Sequence, residues 1–396
     1  MTINNEHKKL NAPNSTDKGN VIRNVPHLRF PEFQGEWEKK KLEECVDFLD
    51  GLRKPIKSED RKSEKGLYPY YGASGIIDYI DGFIFDGEYI LLSEDGANIM
   101  DRNYRVAFIA KGKIWVNNHA HVLQPHNGFD INFLSETLER LNYAVYNTGT
   151  TMPKLNQEVC RNINLKIPAT KEQNKIGNLL SLLNERIATQ NKIIEDLKKL
   201  KSAIIEIEYT PNTKTTSHIG NVIEQISKRN KNNAIQNVLS VSNRQGFIKQ
   251  SDQFENRNVA SEDTSNYKIV EKNDFAFNPA RINVGSIARL TTFEKGIVSP
   301  MYICFRTQEN VAPEYIDFFF ESKHFYYEIQ KRLEGSVRQC LSFEGLCNIP
   351  FSLPSLEMQQ RIGKRLFTLG QKIKTETDLL ELLNKQKQYL LRQMFI

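Results

Sequence analysis

The sequence predicts an α+β protein with two mixed α/β domains, each followed by a long helix, in an internal pseudo-twofold repeat. With Gly149 aligned on Gly335, residues 149–205 and 335–391 are identical at 17 of 57 positions without a gap. Solenoid repeats are only about 20–50 residues long, so this much longer period indicates a duplicated domain. Inside the repeat, apolar residues recur at alternate spacings of four and three, which is the heptad pattern of a coiled coil.

The heptad positions, which we call the seam, continue for about four heptads in each copy. In the first copy they are Ile176, Leu180, Leu183, Ile187, Gln190, Ile194, Leu197, Lys201 and Ile204. In the second copy they are Ile362, Leu366, Leu369, Ile373, Glu376, Leu380, Leu383, Lys387 and Leu390. Pro168 and Pro354 stand just before the two helices, where proline can mark a helix start. We therefore expect the two helices to pair as an antiparallel coiled coil.

Polar residues interrupt the seam at matched places in the two copies, at Gln190 and Glu376 and again at Lys201 and Lys387. If the helices pair antiparallel about a pseudo-twofold axis, Lys201 would face Glu376 and Gln190 would face Lys387. Polar seam residues commonly set the register of a coiled coil at a cost in stability. The alternative is that these residues lie at a solvated edge of the seam.

Short strand-like runs precede each helix. The first domain contains EYILLSE, RVAFIA, KIWVN and HAHVLQP, then the helical run INFLSETLERLNYAVY. The second contains GSIARLTT and VSPMYICFRT, then the helical run PEYIDFFFESKHFYYEIQKRL. We predict a polar N-terminal tail (1–24), a first domain (25–168), a first long helix (169–210), a second domain (211–354) and a second long helix (355–396).

Composition and charge exclude several classes of protein. No apolar run reaches the roughly 18–20 residues needed to cross a bilayer, and the polar N-terminus lacks a signal-peptide core. The five cysteines are scattered and never spaced as Cys-x-x-Cys, which argues against a disulfide framework or a structural zinc site. These features predict a cytoplasmic protein without a membrane partner. The net charge of +6 hints at nucleic acid, but it forms no concentrated basic block.

The sequence offers weak candidates for catalysis or metal binding. The glycine-rich run YYGASGIIDYIDGFIFDG lacks the spacing of a P-loop or a dinucleotide turn, so it predicts turns between strands. Glu94 and Asp95 form a carboxylate pair that no histidine or second carboxylate cluster completes. His119 and His121 alternate on a strand-like run, which would place them on one face without a third ligand. We predict no catalytic residue and no metal site.

Polar loops offer better candidates for contacts with DNA. Arg, Lys, Asn and Gln side chains suit base edges and phosphates. Two loops carry candidates for base contacts: Asn98, Arg102, Asn103 and Arg105 in the first domain, and Asn278, Arg281, Asn283 and Ser286 in the second. Two early loops carry candidates for phosphate contacts: Arg53 and Lys54 in the first domain, and Lys228, Arg229 and Lys231 in the second. Each of these residues also has an ordinary alternative, a place in a solvated surface loop.

Residues 25–396 resemble the specificity (S, or HsdS) subunits of type I restriction-modification systems. The resemblance rests on the duplicated entry into each long helix, Pro168, Gln173, Ile176 and Gly177 and then Pro354, Gln359, Ile362 and Gly363. It also rests on VPHLRFPEFQGEW at 25–37, on YPYYGASGIIDYIDGFIFDGEYILLSEDGAN and on NPARINVGSIA.

The resemblance implies two target-recognition domains that each read one half of a split sequence in double-stranded DNA. It implies helices that set the spacer between the halves and dock two methyltransferase (M) subunits, which use S-adenosylmethionine to methylate adenine. Restriction (R) subunits, which use ATP, would join that core. The chain itself would be non-catalytic and bind no cofactor directly. The alternatives are a coiled-coil interaction protein without DNA specificity and a self-contained DNA methyltransferase or nuclease.

Overall fold

A computed structural model describes residues 24–61, 66–210, 216–243, 245–253, 263–335 and 339–396. Almost all of the predicted polar tail, 1–24, therefore lies outside the described residues. The chain divides into two compact units. The first takes in the chain up to Ala188 together with Leu382–Ile396, and the second is Thr189–Glu381. Among the described residues, no helix combines the length and apolar character that crossing a membrane requires.

The first domain contains a six-stranded sheet and a two-stranded one. Its strands are β1 (Glu38–Lys41), β2 (Val46–Phe48), β3 (Tyr68–Gly72), β4 (Gly75–Ile80), β5 (Phe85–Ser93), β6 (Ala107–Val116), β7 (Ala120–Pro125) and β8 (Asn164–Ile167). Its helices are α1 (Asn98–Asp101), α2 (Ile131–Glu139) and α3 (Gln157–Arg161), and the long helix α4 (Thr170–Tyr209) follows. The sheet order is β2-β7-β5-β6-β3-β4, and β1 pairs with β8 in a separate two-stranded sheet.

The second domain has shorter strands. They are β9 (Thr216–His218), β10 (Ile223–Ile226), β11 (Val238–Ser242), β12 (Gly246–Lys249), β13 (Lys268–Glu271), β14 (Phe275–Phe277), β15 (Ile287–Arg289), β16 (Lys295–Val298), β17 (Ile303–Thr307) and β18 (Pro350–Ser352). The helices are α5 (Gln250–Gln253), α6 (Pro313–Phe319), α7 (Lys323–Gln330) and α8 (Phe343–Cys347), followed by the long helix α9 (Leu356–Gln393).

The two domains share one strand order. The second domain forms two sheets, β10-β17-β14-β15 and β12-β11-β16-β13. Two pairs of short strands in the second domain correspond to single long strands in the first: β13 and β14 correspond to β5, and β15 and β16 correspond to β6. With this matching, the strand order of the second domain is the same as that of the first. The parallel pair is reproduced too, because β3 runs parallel to β6 and β11 runs parallel to β16. The duplication therefore extends through the whole domain, which confirms the predicted fold class.

Two predicted helical runs are interrupted. The run 131–146 ends its α-helix at Glu139 and continues as a short 3-10 turn, Tyr143–Tyr146. The run 313–333 divides into α6 and α7 at Ser322, whose hydroxyl accepts a hydrogen bond from the Phe325 N–H at 3.1 Å. A serine in this position starts a new helix by capping its first turn, which the apolar periodicity alone does not reveal.

The repeated entry motif fastens each long helix to its own domain. The buried Gln173 accepts a hydrogen bond from the Asp130 N–H and donates to the Pro168 carbonyl. Gln359 makes the same two bonds, with the Ala312 N–H and the Pro354 carbonyl, at 3.0 and 2.8 Å. Each glutamine thus ties the last strand of its domain to the start of α2 or α6.

Glycine follows the glutamine because the helix approaches its domain closely. A Cβ on Gly177 would lie 2.0 Å from the Asp130 carboxylate oxygen that caps α2. A Cβ on Gly363 would lie 2.8 Å from the Glu314 Cβ. The motif is therefore a structural joint.

An aromatic side chain at the C-terminal end of each long helix enters a domain core: Tyr209 is the last residue of α4, and Phe395 lies two residues beyond the end of α9. In the first unit, Phe395 stacks on Phe133 with ring centroids 5.2 Å apart, and Trp37 meets Phe395 edge-on at 6.3 Å. In the second unit, Tyr209 packs on Tyr315 at 4.8 Å and donates its hydroxyl proton to the Tyr315 carbonyl. Tyr209 and Phe395 are equivalent in the repeat, so each domain core is completed by the end of a long helix.

All predicted seam positions of both helices are buried or half-buried. Within the second unit the helices run antiparallel, because Gln190 donates to Glu376 while Arg365 lies 3.7 Å from Glu208. Gln190 and Glu376 are repeat equivalents, so equivalent positions of the two helices are in direct contact within this unit.

The predicted register is therefore wrong. Lys201 pairs with Glu321 at 2.6 Å and not with Glu376. Lys387 lies 3.5 Å from Glu136, and Gln190 binds Glu376. Among the described residues, both lysines thus pair with carboxylates of the two domains and not with the other long helix. Burial lowers the pKa of Lys387, although Glu136 opposes this shift.

Candidate nucleic-acid interface

The predicted DNA residues of the first domain gather at one end of its sheet, where β2, β3, β5 and β6 end and β7 begins. Backbone bonds join the loops there: the Glu94 N–H donates to the His119 carbonyl, and the Asn117 N–H donates to the Tyr71 carbonyl. The Ser93 hydroxyl donates to the Ala73 carbonyl at 2.6 Å. We call this region the first loop end.

A buried network of charges underlies the first loop end. Arg53 donates to Glu94 at 2.7 Å and to the Ala120 carbonyl at 2.8 Å, and it lies 3.5 Å from Asp50. His121, which is fully buried, makes a 2.6 Å hydrogen bond with Asp50. Arg53 is thus mostly buried and paired, so we no longer expect it to contact a phosphate directly. The sequence prediction missed this network because its members are up to 71 positions apart.

Asp50, Glu94 and His121 place potential ligand atoms within 4.8 Å of one another, which corrects the expectation that nothing would complete Glu94. The hydrogen bonding disfavours a metal here. His121 Nε2 lies 2.8 Å from the Leu155 carbonyl, an acceptor only, while Nδ1 faces the Asp50 carboxylate. Burial alone would lower the pKa of His121, but its bonds with Asp50 and Cys160 raise the pKa to about 10. A doubly protonated ring has no lone pair for a metal.

The other predicted residues of the first domain divide into two groups. Asn98 closes the turn after α1 through two bonds with the Tyr104 backbone, Arg102 binds Glu139, and Arg105 binds Glu136 at 2.8 Å. These three side chains stabilise the domain. Lys54 and Asn103 are exposed.

Exposed apolar side chains at the first loop end were not predicted. Leu52, Ile77 and Met152 are each more than half exposed. Ile77 is the extra residue at an irregularity in the β3–β4 hairpin, and Met152 precedes Pro153, whose carbonyl accepts from Gly96. No periodic pattern marks these residues, since all three belong to loops or irregular strand ends.

The second domain gathers its candidates at the corresponding end of its strands, which we call the second loop end. The loop after β14 turns back through bonds from the Ser286 hydroxyl to the Val241 carbonyl and from the Ala280 N–H to the Asn278 side chain. Asn278 and Ser286 are buried in this role, which disfavours direct contact with bases. Arg281 is exposed at the tip of the loop, and Asn283 is half-exposed beside it.

A basic groove lies beside the start of β13 at the second loop end. It is lined by Ser227, Lys228, Arg229, Lys231, Asn232 and Ile269. Lys228, Arg229 and Lys231 are all exposed, and the Arg229 guanidinium donates to the neutral Asn266 side chain at 3.0 Å. The predicted phosphate residues of this domain thus line a single open surface.

Comparison with known proteins identifies the domain. The family model described as type I restriction modification DNA specificity domain matches the chain twice, over residues 34–199 and 205–385. The chain is 24% identical to a type I restriction enzyme specificity subunit of Methanocaldococcus jannaschii, over 92% of this chain and 90% of that protein. It is 36% identical to a Haemophilus influenzae protein assigned to the same subunits, but the match spans only 37% of either chain.

A solved structure shows the same fold. The S subunit of a type I restriction-modification system from M. genitalium superposes with a TM-score of 0.65 at 16% identity, covering 94% of this chain and 99% of that one. The two family matches span most of the sequence, and they coincide with the two recognition domains and their helices. The chain therefore belongs to the type I restriction-modification DNA specificity family and carries two copies of its domain.

Proposed function

We propose that this chain is the target-reading subunit of a type I restriction-modification complex, in which each recognition domain reads one half of a split DNA sequence. The observation that carries the proposal is a contrast within the repeat. The two domains share strand order and helix attachment, whereas their loop ends differ in charge and in exposed residues. A shared scaffold with different reading loops suits a protein that recognises two different half-sites.

The long helices are proposed to fix the spacer between the halves and to dock two methyltransferase subunits. Exposed apolar residues on α4 support docking, because Ile193, Leu200 and Ile207 recur every seven residues on its surface. On α9, Leu382 and Tyr389 are exposed at the same spacing. Apolar side chains in heptad spacing form a stripe along one face of a helix, which suits packing against a partner.

The chemistry is assigned to the partners. Methyltransferase subunits would bring S-adenosylmethionine and methylate adenine, and restriction subunits would use ATP to cleave DNA in the cytoplasm. In this arrangement the chain is non-catalytic and binds no cofactor itself. Two tethered readers gain specificity jointly when their separation is fixed, since one good bidentate contact with a base gives only about 1–3 kcal/mol.

The test is a methylome of cells with and without the gene for this chain. Loss of a split motif that contains adenine is the expected result, and an unchanged methylome would refute the proposal. Arg281→Ala should relax or abolish recognition of one half of that motif. Lys272→Ala is the matched control, because Lys272 pairs with Glu294 at the opposite end of the strands. If Arg281→Ala leaves the motif intact, the loop after β14 does not read DNA.

A further inference from the structure

Charge is distributed unequally between the two loop ends. Residues 225–243, which include the cations of the basic groove, contain three Lys or Arg and no Asp or Glu. Residues 275–288, which include the loop after β14, contain one arginine, Arg281, and again no acidic residue. In the first domain, residues 46–61 balance four basic against four acidic residues, and residues 94–105 hold two against three.

The cations of the groove are displayed by an ordered loop. Asn230 is buried beneath it, donates to the Ile235 carbonyl at 2.9 Å and accepts from the Ile235 N–H at 3.1 Å. The Lys228 carbonyl accepts from the Ile269 N–H at 2.8 Å, which fastens the loop to β13. A loop held in this way loses little conformational freedom on binding.

The corresponding loop of the first domain uses its charges internally. Both loops follow the edge strand of their sheet, β2 in the first domain and β10 in the second. Arg53 is neutralised by Glu94 and Asp50. In the groove, by contrast, neither Lys228 nor Lys231 forms an ion pair with any other residue that the structure describes.

We infer that the two recognition domains contribute unequally to the ionic part of the affinity for DNA. The basic groove of the second domain binds backbone phosphates and supplies most of that part. The first domain makes fewer ionic contacts and presents Leu52, Ile77 and Met152 at its loop end instead. This inference rests on the proposed function and deepens it. Its consequence is measurable, because each neutralised phosphate adds about 0.9 to the slope of log affinity against log salt for B-DNA.

The experiment uses the full chain assembled with its methyltransferase subunits and two duplexes, one with the motif found in the methylome and one shuffled. Affinity is measured by fluorescence anisotropy over a series of salt concentrations. The double variant Lys228→Gln, Lys231→Gln should reduce the slope by about 2 on both duplexes, because it removes two phosphate contacts. Gel filtration of the complex checks that the exposed substitutions leave assembly intact.

Two matched variants sharpen the comparison. Lys272→Gln with Lys295→Gln removes the same charge from the same domain, at ion pairs with Glu294 and Glu271 away from the groove, and should leave the slope unchanged. Lys54→Gln with Lys57→Gln removes two exposed lysines from the first domain, and should reduce the slope by less than the groove variant.

The outcomes separate the inference from the proposed function. An equal or larger effect from the first-domain pair, or no effect from the groove pair, overturns the inference while specific binding stands. If the wild-type complex shows no preference for the motif duplex, the proposed function fails, whatever the slopes are.

Discussion

The two recognition domains are alike where they meet the helices and different where they are expected to meet DNA. Gln173 and Gln359 make the same pair of hydrogen bonds, and Phe395 and Tyr209 fill matching places in the two cores. At the loop ends, one domain buries its arginine among carboxylates and the other displays its cations in a groove. Residues that attach a helix to its domain are constrained by packing, whereas residues of a DNA-reading surface can change without unfolding the domain. The two copies therefore kept the same attachment residues and differ in their loop ends.

The largest expected effect tests the equivalence of the aromatic residues. Phe395→Ala should destabilise the first unit, and Tyr209→Ala the second, each by about 3–5 kcal/mol, because a buried ring is replaced by a cavity. The chain has two tryptophans, Trp37 and Trp115, and both belong to the first unit. Denaturation followed by tryptophan fluorescence should therefore shift for Phe395→Ala and not for Tyr209→Ala.

Hydrogen exchange measures the stability of the second unit, which has no tryptophan. Backbone amides of that unit should exchange faster in Tyr209→Ala and not in Phe395→Ala. Tyr389→Ala is the control, because this exposed ring of α9 should cost less than about 0.5 kcal/mol. If either variant lowered the stability of both units equally, the view that each aromatic residue stabilises only one core would be contradicted.

The next largest effect tests whether the glutamine of the entry motif stabilises the joint between each long helix and its domain. Gln173→Ala and Gln359→Ala should each cost about 1–3 kcal/mol, because a backbone N–H loses its partner. Gln359→Ala should cost more, since the Ala312 N–H is buried and the Asp130 N–H is only partly so. Chemical denaturation measures both, and exposed Asn174→Ala is the control. A negligible cost for both glutamines would show that the motif is not a structural joint.

A pH dependence should distinguish the two units. The pKa of His121, about 10 in the folded state, lies above its usual value near 6.5, so the folded protein binds this proton more tightly. Its stabilisation is complete below about pH 6.5 and is lost as the pH rises through 10. The denaturation midpoint from tryptophan fluorescence should fall between pH 7 and 10, and His121→Gln should flatten that fall. An equally steep fall in His121→Gln would exclude this histidine as the cause.

The smallest effect tests the corrected register. A double-mutant cycle on Lys201 and Glu321 should give a coupling of about 0.5 kcal/mol, as is usual for a partly exposed ion pair. The same cycle on Lys201 and Glu376 should give no coupling, because Glu376 accepts from Gln190 and pairs with Lys372 instead. Coupling in the second cycle alone would restore the register that the sequence predicted.

The sequence by itself determined the plan of the molecule. Apolar residues at heptad spacing predicted long helices at 169–210 and 355–396, and the structure has them at Thr170–Tyr209 and Leu356–Gln393. Helix periodicity is a local property, so the sequence carries it directly. The repeat predicted two similar domains for the same reason, because identities at a constant offset need no knowledge of contacts.

Tertiary structure decided the partners of the charged and polar side chains. Arg53 and Arg105 resembled DNA contacts on loops, but carboxylates 41 and 31 positions away along the chain bind them. Lys201 resembled a seam residue, but it pairs with Glu321, a carboxylate of the second recognition domain, and not with Glu376. Ion pairs and hydrogen bonds depend on which distant segments meet, and that is set by the packing of the whole domain. The exposed cations at the second loop end remain candidates for contact with DNA, because no carboxylate among the described residues pairs with them.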